Sequence, residues 1–254
     1  MTEGKRIISR RTMIQASTLV GLSVAAPELA RSASYPAVQS DPETTLNVGT
    51  SVLLTIDTQN DFSLRGAPAE VSGTSEIIPN MRKVLVAYRE QKLPIVHLIR
   101  LYEADGSNVD RPRRTLLRGG AKVVLPNTQG AELVADLKPT PSVHLFPGEL
   151  LTGETQQIGP REWIIYKPRW GAFYKTTLEQ HLRGLGIDTV IVTGCNYPNC
   201  PRSALYEASE RDFRIGLVTD AVSGLYDKGA QELSGIGANL LTSDQLISRV
   251  HQAS

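Results

Sequence analysis

Cysteine and long apolar runs are scarce in this sequence. Only two of its 254 residues are cysteine, too few for the disulfide framework that holds many small secreted domains together. No uninterrupted apolar run reaches the ~18 residues of a membrane-spanning helix. The 27 Lys and Arg nearly balance the 26 Asp and Glu, so nothing favours a nucleic acid or an anionic membrane as a partner. With 41% hydrophobic residues, the chain can build one sizeable core.

The first 34 residues form a segment distinct from the rest of the chain. They contain the run Ser9-Arg10-Arg11-Thr12-Met13, then a mildly apolar stretch and then small residues. This order resembles a twin-arginine export signal, and a disordered basic leader is the alternative. The resemblance implies an exported bacterial protein, periplasmic or extracellular. It predicts three segments: a signal peptide at 1–34, a linker at 35–49 and one folded domain at 50–250.

Apolar runs alternate with amphipathic segments along the body of the chain. This alternation predicts a single α/β domain with a mostly parallel sheet, covered by helices on both faces. Two segments fit neither pattern, and we predict a long loop at 102–128 and an irregular segment at 140–160. The predicted strands are 52–57, 94–101, 163–166, 189–193 and 214–219, and the predicted helices are 75–91, 131–137, 177–185, 201–213 and 228–238.

Cys200 lies between an apolar strand and an amphipathic helix. Pro201 suits the first turn of that helix, because its missing N–H costs nothing there. A thiol at the start of a helix meets the positive end of the helix dipole, which favours the thiolate that attacks carbonyl carbon. A lone cysteine is also commonly a small buried hydrophobic residue. Cys200 is therefore a candidate nucleophile whose role depends on its neighbours.

Two other predicted strands deliver a reactive residue at or just past their carboxyl ends. Asp57 ends the first strand, and Lys167 follows the strand at 163–166. Ligands bind at the carboxyl ends of strands in open α/β sheets, so we expect both residues beside Cys200. Asp57 would be the base for the thiol and then the acid for the leaving amine, with the positive charge of Lys167 beside both. Taken singly, Asp57 could cap a loop or helix and Lys167 could form a surface ion pair.

Four short motifs occur in order between Val52 and Leu241. They are Asp-x-Gln-x-Asp-Phe at 57–62, Lys-x-Arg followed by Phe at 167–173, Gly-x5-Cys followed by two alanines at 194–208, and Asp-Ala-Val-Ser at 220–223. Each motif is weak alone. Together, with this spacing, they resemble the isochorismatase-like cysteine hydrolase superfamily, whose members include nicotinamidase, N-carbamoylsarcosine amidohydrolase and biuret hydrolase.

The resemblance carries expectations about fold and mechanism. It implies a Rossmann-like three-layer αβα sandwich with six strands in the order 3-2-1-4-5-6. It implies that Asp57, Lys167 and Cys200 form a catalytic triad that cleaves a C–N bond through a thioester, without a cofactor. The backbone N–H groups of Asn196 and Cys200 would hold the oxyanion, next to a cis peptide bond between Cys195 and Asn196. Superfamily members are commonly dimers or tetramers, so we expect a homo-oligomer.

Five further side chains are predicted to contact the substrate. They are Phe62, Arg100, Arg169, Trp170 and Tyr197. The aromatic rings would pack against the substrate, while Arg169 or Arg100 would meet a carboxylate or a carbonyl oxygen. Arg169 also has a structural alternative, which is to pair with Asp61 or with a helix C-terminus. The expected substrate is a small amide, a urea-like compound, or a cyclic imide or lactam.

No metal ion is expected at the site. Nicotinamidases carry an Asp-x-His cluster after the second strand, whereas His97 here lies inside the apolar run 95–99. We interpret His97 as a core histidine whose ring nitrogens are hydrogen-bonded. His144 and His181 have no ligand partners at a recognised spacing. Nicotinamide is therefore disfavoured as the substrate.

Two other functions stay open. Isochorismatase itself cleaves a vinyl ether and generally does without the thiol, so Cys200 argues against that chemistry. The second alternative is a redox or interaction protein of the same fold, in which an oxidising compartment pairs Cys195 with Cys200. Such a bond would disable the nucleophile, so thiol titration distinguishes it from the hydrolase.

Overall fold

The computed structural model of the protein describes Met1 and residues 41–253. The predicted signal peptide beyond Met1 and the first residues of the predicted linker therefore lie outside the described residues. In the remainder of that linker, Leu46 and Val48 are buried and pack against the core. No helix in the described part of the chain is long and apolar enough to cross a membrane.

Strands and helices alternate through residues 41–253. The strands are β1 (Ser51–Ile56), β2 (Ile95–Ile99), β3 (Thr155–Gly159), β4 (Glu162–Tyr166), β5 (Thr189–Gly194), β6 (Arg214–Val222) and β7 (Asn239–Leu241). The helices are α1 (Asn60–Ser63), α2 (Thr74–Glu90), α3 (Arg111–Arg118), α4 (Pro147–Leu151), α5 (Leu178–Gly184), α6 (Cys200–Ser209), α7 (Asp227–Gly235) and α8 (Ser243–Gln252). Each of the five predicted strands is present.

The strands form one sheet in the order β3-β4-β2-β1-β5-β6-β7. Its six parallel strands follow the expected order 3-2-1-4-5-6, which confirms the α/β class. The strand count is corrected to seven, because β3 adds an antiparallel edge strand to β4, with Thr155 opposite Ile165. Since β3 pairs on one side only and is largely polar, it lacks the apolar run of a central strand.

The sheet buries both of its faces under helices. Along β1, Val52, Leu54 and Ile56 pack with the cluster that contains α5, α6 and α7, while Leu53 packs with α2 and α8. Alternate residues of a strand point to opposite faces, so a strand covered on both sides is apolar throughout. The predicted three-layer sandwich is confirmed, and β1 lies in its middle.

Three predicted segments differ from the structure, and helix α8 was not predicted. The predicted irregular segment at 140–160 contains α4 and β3. The predicted loop at 102–128 contains α3, a helix of eight residues that buries none of them and whose two leucines are adjacent, too few to mark a helical period. The predicted helix at 131–137 is reduced to a 3-10 turn at Ala135–Leu137. Beyond the last predicted helix, α8 begins with Thr242 and Gln245 in a reciprocal capping arrangement, a sequence signal that was available.

His97 on β2 links the two neighbouring strands β1 and β4. It is completely buried, with Nδ1 2.7 Å from the Thr55 hydroxyl and Nε2 2.7 Å from the Glu162 carboxylate. Arg89 on α2 also donates to Glu162, at 2.7 and 2.9 Å. The prediction of a hydrogen-bonded core histidine is confirmed. Burial raises the pKa of Glu162, but its bonds to Arg89 and His97 outweigh burial and lower that pKa to about 2.

Glu162→Gln is expected to destabilise the protein at neutral pH but not near pH 2. The folded-state pKa lies below the ordinary value of 4.5, so the ionised carboxylate contributes stability above pH 4.5 and loses it as pH falls toward 2. The gap between the folded and the ordinary pKa corresponds to roughly 3 kcal/mol. Urea unfolding of both proteins from pH 2 to pH 7 measures this difference. A stability difference that does not change with pH would contradict the assignment.

Candidate active site

Three parallel strands bring the predicted triad to one edge of the sheet. Asp57 follows β1, Lys167 follows β4, and Cys200 begins α6 after β5. The carboxyl ends of parallel strands lie at the same edge, so residues 110 positions apart, such as Asp57 and Lys167, meet there. All three side chains are buried.

Asp57 and Lys167 form a buried ion pair. Lys167 Nζ lies 3.0 Å from Asp57 Oδ2 and also donates to the backbone carbonyls of Arg169 and Trp170, at 3.3 and 3.4 Å. The ammonium group therefore has three acceptors, and its side chain is 0% exposed. Asp57 Oδ1 is buried and has no hydrogen-bond partner among the described residues. One carboxylate oxygen thus holds the lysine while the other remains free to accept a proton.

The backbone holds Asp57 in a left-handed conformation, with φ of 52°. Few residues other than glycine adopt this region, and aspartate is one that does. The Cys195 thiol donates to the Asp57 carbonyl oxygen at 3.1 Å. Gly194 lies alongside with φ of 111°, and a Cβ there would overlap the Ile56 carbonyl. The ends of β1 and β5 can therefore approach this closely only with glycine at position 194. This approach orients the Asp57 carboxylate.

Cys200 is a neutral thiol in the free protein. Burial and the neighbouring Asp57 carboxylate raise its pKa to about 12, and the positive charges of Lys167 and Arg100 only partly oppose them. The side chain is 4% exposed. The helix N-terminus was expected to favour the thiolate, and burial opposes that effect, because desolvation disfavours the charged form. The thiol needs a base at the moment of attack.

Alkylation of Cys200 is expected to speed up with pH, without a plateau near neutrality. Below the pKa the thiolate fraction grows about ten-fold per pH unit, so the rate should climb throughout pH 7–10. Asp57→Asn removes a charge that raises the thiol pKa, and should accelerate alkylation at pH 8 by about ten-fold, the effect of removing roughly 1.4 kcal/mol of charge repulsion. Iodoacetamide kinetics in a Cys195→Ser background measure both effects. A plateau below pH 8 would show that the thiolate is the resting form.

The loop between β5 and α6 contains the expected oxyanion donors. The Cys195–Asn196 peptide bond is cis, as expected. The neighbouring N–H groups of Cys195 and Tyr197 donate to Ile56 and Ser223 carbonyls at 2.9 and 2.8 Å. The backbone N–H groups of Asn196 and Cys200 donate to no other described residue. Their role as oxyanion donors stays a prediction.

Three of the predicted substrate contacts lie together. Arg100 is buried at the end of β2, with its guanidinium 5.9 Å from the Trp170 ring centre. Arg113, which the sequence did not single out, lies 5.3 Å from the Phe62 ring centre and 5.5 Å from that of Trp170. Asp110 accepts a hydrogen bond from Arg100. Arg113 and Asp110 were missed because α3 and the segment before it looked like an irregular loop.

Arg169 and Tyr197 have other neighbours. Arg169 donates to the Asn108 carbonyl at 2.9 Å, and its Nε lies 4.0 Å from Asp110. The alternative pairing of Arg169 with Asp61 is wrong, because the Arg169 guanidinium contacts the Asn108 and Pro168 carbonyls and Asp110 instead.

Tyr197 is completely buried. Its hydroxyl donates to the Gly229 carbonyl on α7 at 2.7 Å, and its ring packs against Tyr226. The structure does not bring Tyr197 into the group around Arg100, and its contact with a substrate stays a prediction.

The described residues contain no group of three or more His, Cys, Asp or Glu side chains arranged to hold a metal ion. Acidic side chains near the thiol are engaged in other ways: Asp57 pairs with Lys167, and Asp110 with Arg100. The reactive groups that the three strands bring to this edge are a thiol, a carboxylate and an ammonium group.

Comparison with known proteins identifies the family. Residues 51–245 match the isochorismatase domain. The chain belongs to the isochorismatase family. It is 30% identical over 176 residues to a "probable inactive nicotinamidase" of Arabidopsis thaliana, covering 68% of this chain and 80% of that protein. It is 24% identical over 245 residues to a ureidoacrylate amidohydrolase of Variovorax paradoxus, covering 89% and 88%. A solved isochorismatase family protein of Desulfovibrio vulgaris superposes with a TM-score of 0.68 at 30% identity, covering 80% and 98%.

Proposed function

We propose that this family member is a cysteine-dependent hydrolase that cleaves a C–N bond of a small amide, urea-like compound, or cyclic imide or lactam. The observation that carries the proposal is the buried Lys167–Asp57 pair, with one free carboxylate oxygen, at the sheet edge where α6 begins with the buried Cys200. The family consists of hydrolases, and the relative from Variovorax paradoxus is an amidohydrolase, which supports C–N cleavage.

Attack requires Asp57 to act as base. Because the Cys200 thiol has a pKa of about 12, it must lose its proton as Sγ bonds to the substrate carbonyl carbon. Asp57 Oδ1, which has no partner among the described residues, accepts this proton. Lys167 stays paired with Oδ2 and keeps a positive charge beside the developing oxyanion.

The later steps return the proton. The tetrahedral oxyanion accepts hydrogen bonds from the backbone N–H groups of Asn196 and Cys200, at the positive end of α6. As the C–N bond breaks, protonated Asp57 gives its proton to the leaving nitrogen, and a thioester to Cys200 forms. Water then attacks the thioester, with Asp57 again as base, and releases the acid and the free thiol.

A screen that measures ammonia release from small amides and ureas, and ring opening of cyclic imides and lactams by chromatography, tests the proposal. The expected result is turnover that disappears when Cys200 is alkylated, and that survives in a Cys195→Ser variant before alkylation. A screen with no thiol-dependent turnover would turn the proposal toward a non-catalytic protein of the same fold. Turnover of a vinyl ether instead would favour isochorismatase-type chemistry.

The redox alternative has a separate test. Both cysteines are free in the structure, and Cys195 is held by its bond to the Asp57 carbonyl. Thiol titration of the denatured, purified protein should therefore find two thiols. A disulfide in the exported protein would support the redox alternative.

We further propose export and self-association. The twin-arginine pathway carries folded proteins, so replacing Arg10 and Arg11 by lysine should leave active protein, with its leader attached, in the cytoplasm. Unchanged export would overturn the signal assignment. Light scattering of the processed protein should give a multiple of the protomer mass, and an active monomer would contradict a homo-oligomer.

A further inference from the structure

Arg100 presents an unused hydrogen-bond donor beside the proposed triad. The side chain is 1% exposed. Nη2 donates to the Tyr102 hydroxyl at 3.1 Å and to the Asp110 carboxylate. Nη1 is also buried, yet it has no hydrogen-bond partner in the part of the chain that the structure describes. Burying a charged N–H donor costs free energy when no acceptor is nearby. A ligand that places an acceptor atom at Nη1 would remove this cost and would therefore bind there.

Positive charge is in excess around Arg100. Arg100 pairs with the Asp110 carboxylate, Arg169 lies 4.0 Å from the same carboxylate, and Arg113 shares the Tyr102 and Trp170 rings with Arg100, so three guanidinium groups accompany one carboxylate. Lys167 adds no net charge because Asp57 neutralises it. Arg113 contacts no carboxylate within residues 41–253, and its described interactions are with aromatic rings. Two positive charges therefore remain uncompensated, which favours an anion.

Aromatic rings form the walls of this cluster. Arg113 lies 5.3 Å from the centre of Phe62, 5.5 Å from that of Trp170 and 6.0 Å from that of Tyr102. Arg100 lies 5.3 Å from the centre of Tyr102. Apolar walls exclude water and lower the local dielectric, so an ion pair formed here is stronger than one on the surface. They also pack against the carbon skeleton of a small molecule.

Arg100 lies at the same edge of the sheet as the predicted triad, because it directly follows β2, and the backbone N–H groups of Asp57 and Lys167 donate to the Leu98 and Ile99 carbonyls of that strand, each at 2.9 Å. Burial lowers the pKa of Arg100, but Tyr102, Asp57, Asp110 and Cys200 raise it further than burial lowers it. In return, Arg100 lowers the pKa of Cys200. One small molecule can therefore place an anionic end at Arg100 and a carbonyl carbon at Sγ of Cys200.

We propose that the substrate is an amide or ureide that carries a carboxylate at its other end, held by Arg100 Nη1 and Arg113. This inference rests on the proposed C–N hydrolase and names its substrate class. Asp110 positions the guanidinium by holding Nη2.

Matched substrates test the charge requirement. Malonamate and succinamate carry a free carboxylate, whereas their methyl esters are neutral and nearly the same shape. Ammonia release should give a kcat/KM about 10- to 150-fold higher for each acid than for its ester, the range expected for a hydrogen bond to a charged group. Equal values for acid and ester would overturn the inference while leaving the proposed hydrolase intact.

A binding experiment makes the test independent of turnover. Calorimetry on the Cys200→Ser protein with malonate and succinate should detect binding that Arg113→Gln weakens about ten-fold or more. Arg118→Gln, on the exposed face of the same helix, is the matched control and should bind as tightly as its parent. Arg100→Met is made together with Asp110→Asn, because the single change would leave a buried carboxylate unpaired. This double variant should lose dicarboxylate binding.

The outcomes separate the two claims. Dicarboxylate binding that depends on Arg100 and Arg113, with no amide turned over by the wild-type protein, overturns the proposed function and keeps the anion site. Binding that is unaffected by Arg113→Gln and by the Arg100→Met/Asp110→Asn pair overturns the anion site. The anion site is also overturned if the protein binds no dicarboxylate and hydrolyses malonamate and succinamate no better than their methyl esters.

Discussion

Cys200→Ser is expected to lower kcat by about 10⁴-fold or more while leaving the fold unchanged. The serine hydroxyl is far less acidic than the thiol, and a carboxylate such as Asp57 is too weak a base to generate an alkoxide. The side chain is 4% exposed and differs from serine by one atom, so packing should survive. Steady-state kinetics on any substrate found by the substrate screen measure the loss, and circular dichroism checks the fold.

Cys195→Ser is the matched control for this change. Cys195 is also buried and close to Asp57, but its thiol donates to the Asp57 backbone carbonyl, and a serine hydroxyl can make the same bond. Activity should therefore stay largely intact. A folded but inactive Cys195→Ser protein would identify Cys195 as the essential thiol. Full activity of Cys200→Ser would reject nucleophilic catalysis at that position.

Asp57→Asn and Lys167→Met are each expected to lower kcat by several orders of magnitude, and the double variant should be little worse than either. The two groups act as a unit, since one moves the proton and the other holds the charge beside it. Because the carboxylate of Asp57 and the ammonium group of Lys167 lie 3.0 Å apart, their contributions to kcat are not independent. Kinetics of the two single variants and the double variant measure this, and additive losses would contradict a shared mechanism.

Stability of the same variants provides the control. Each single change leaves one buried charge without its partner, which lowers the free energy of unfolding by roughly 3–5 kcal/mol. Removing both charges together lowers it much less. The double variant should therefore be more stable than Lys167→Met while being equally inactive. Urea unfolding distinguishes the loss of stability from the loss of activity. A double variant that is least stable and also least active would mean that the activity losses follow from unfolding.

The parallel sheet could be predicted from the sequence because its strands are buried on both faces. Runs such as 52–56 and 189–193 are apolar throughout or nearly so, which short central strands require. The edge strand β3 and helix α3 escaped prediction for the opposite reason. One pairs with a single neighbour and the other buries no residue, so neither produces a hydrophobic period. Helix α8 was missed although its capping residues could have marked its start.

The sequence by itself determined the family resemblance, and that resemblance implied the order of the parallel strands. It also singled out Asp57, Lys167 and Cys200 as candidates, because each lies at the end of a predicted strand or the start of a predicted helix, and these positions share one edge of a parallel sheet.

The tertiary structure alone decided the state of the thiol and the surroundings of Arg100. The pKa of Cys200 depends on burial and on a carboxylate 143 positions earlier in the chain. The helix N-terminus, which is visible in the sequence, favours the thiolate, but desolvation outweighs it. Likewise, Arg113 meets Phe62 and Trp170 only in the folded chain. Electrostatic and aromatic contacts act through space, and local sequence patterns do not record distances between remote segments.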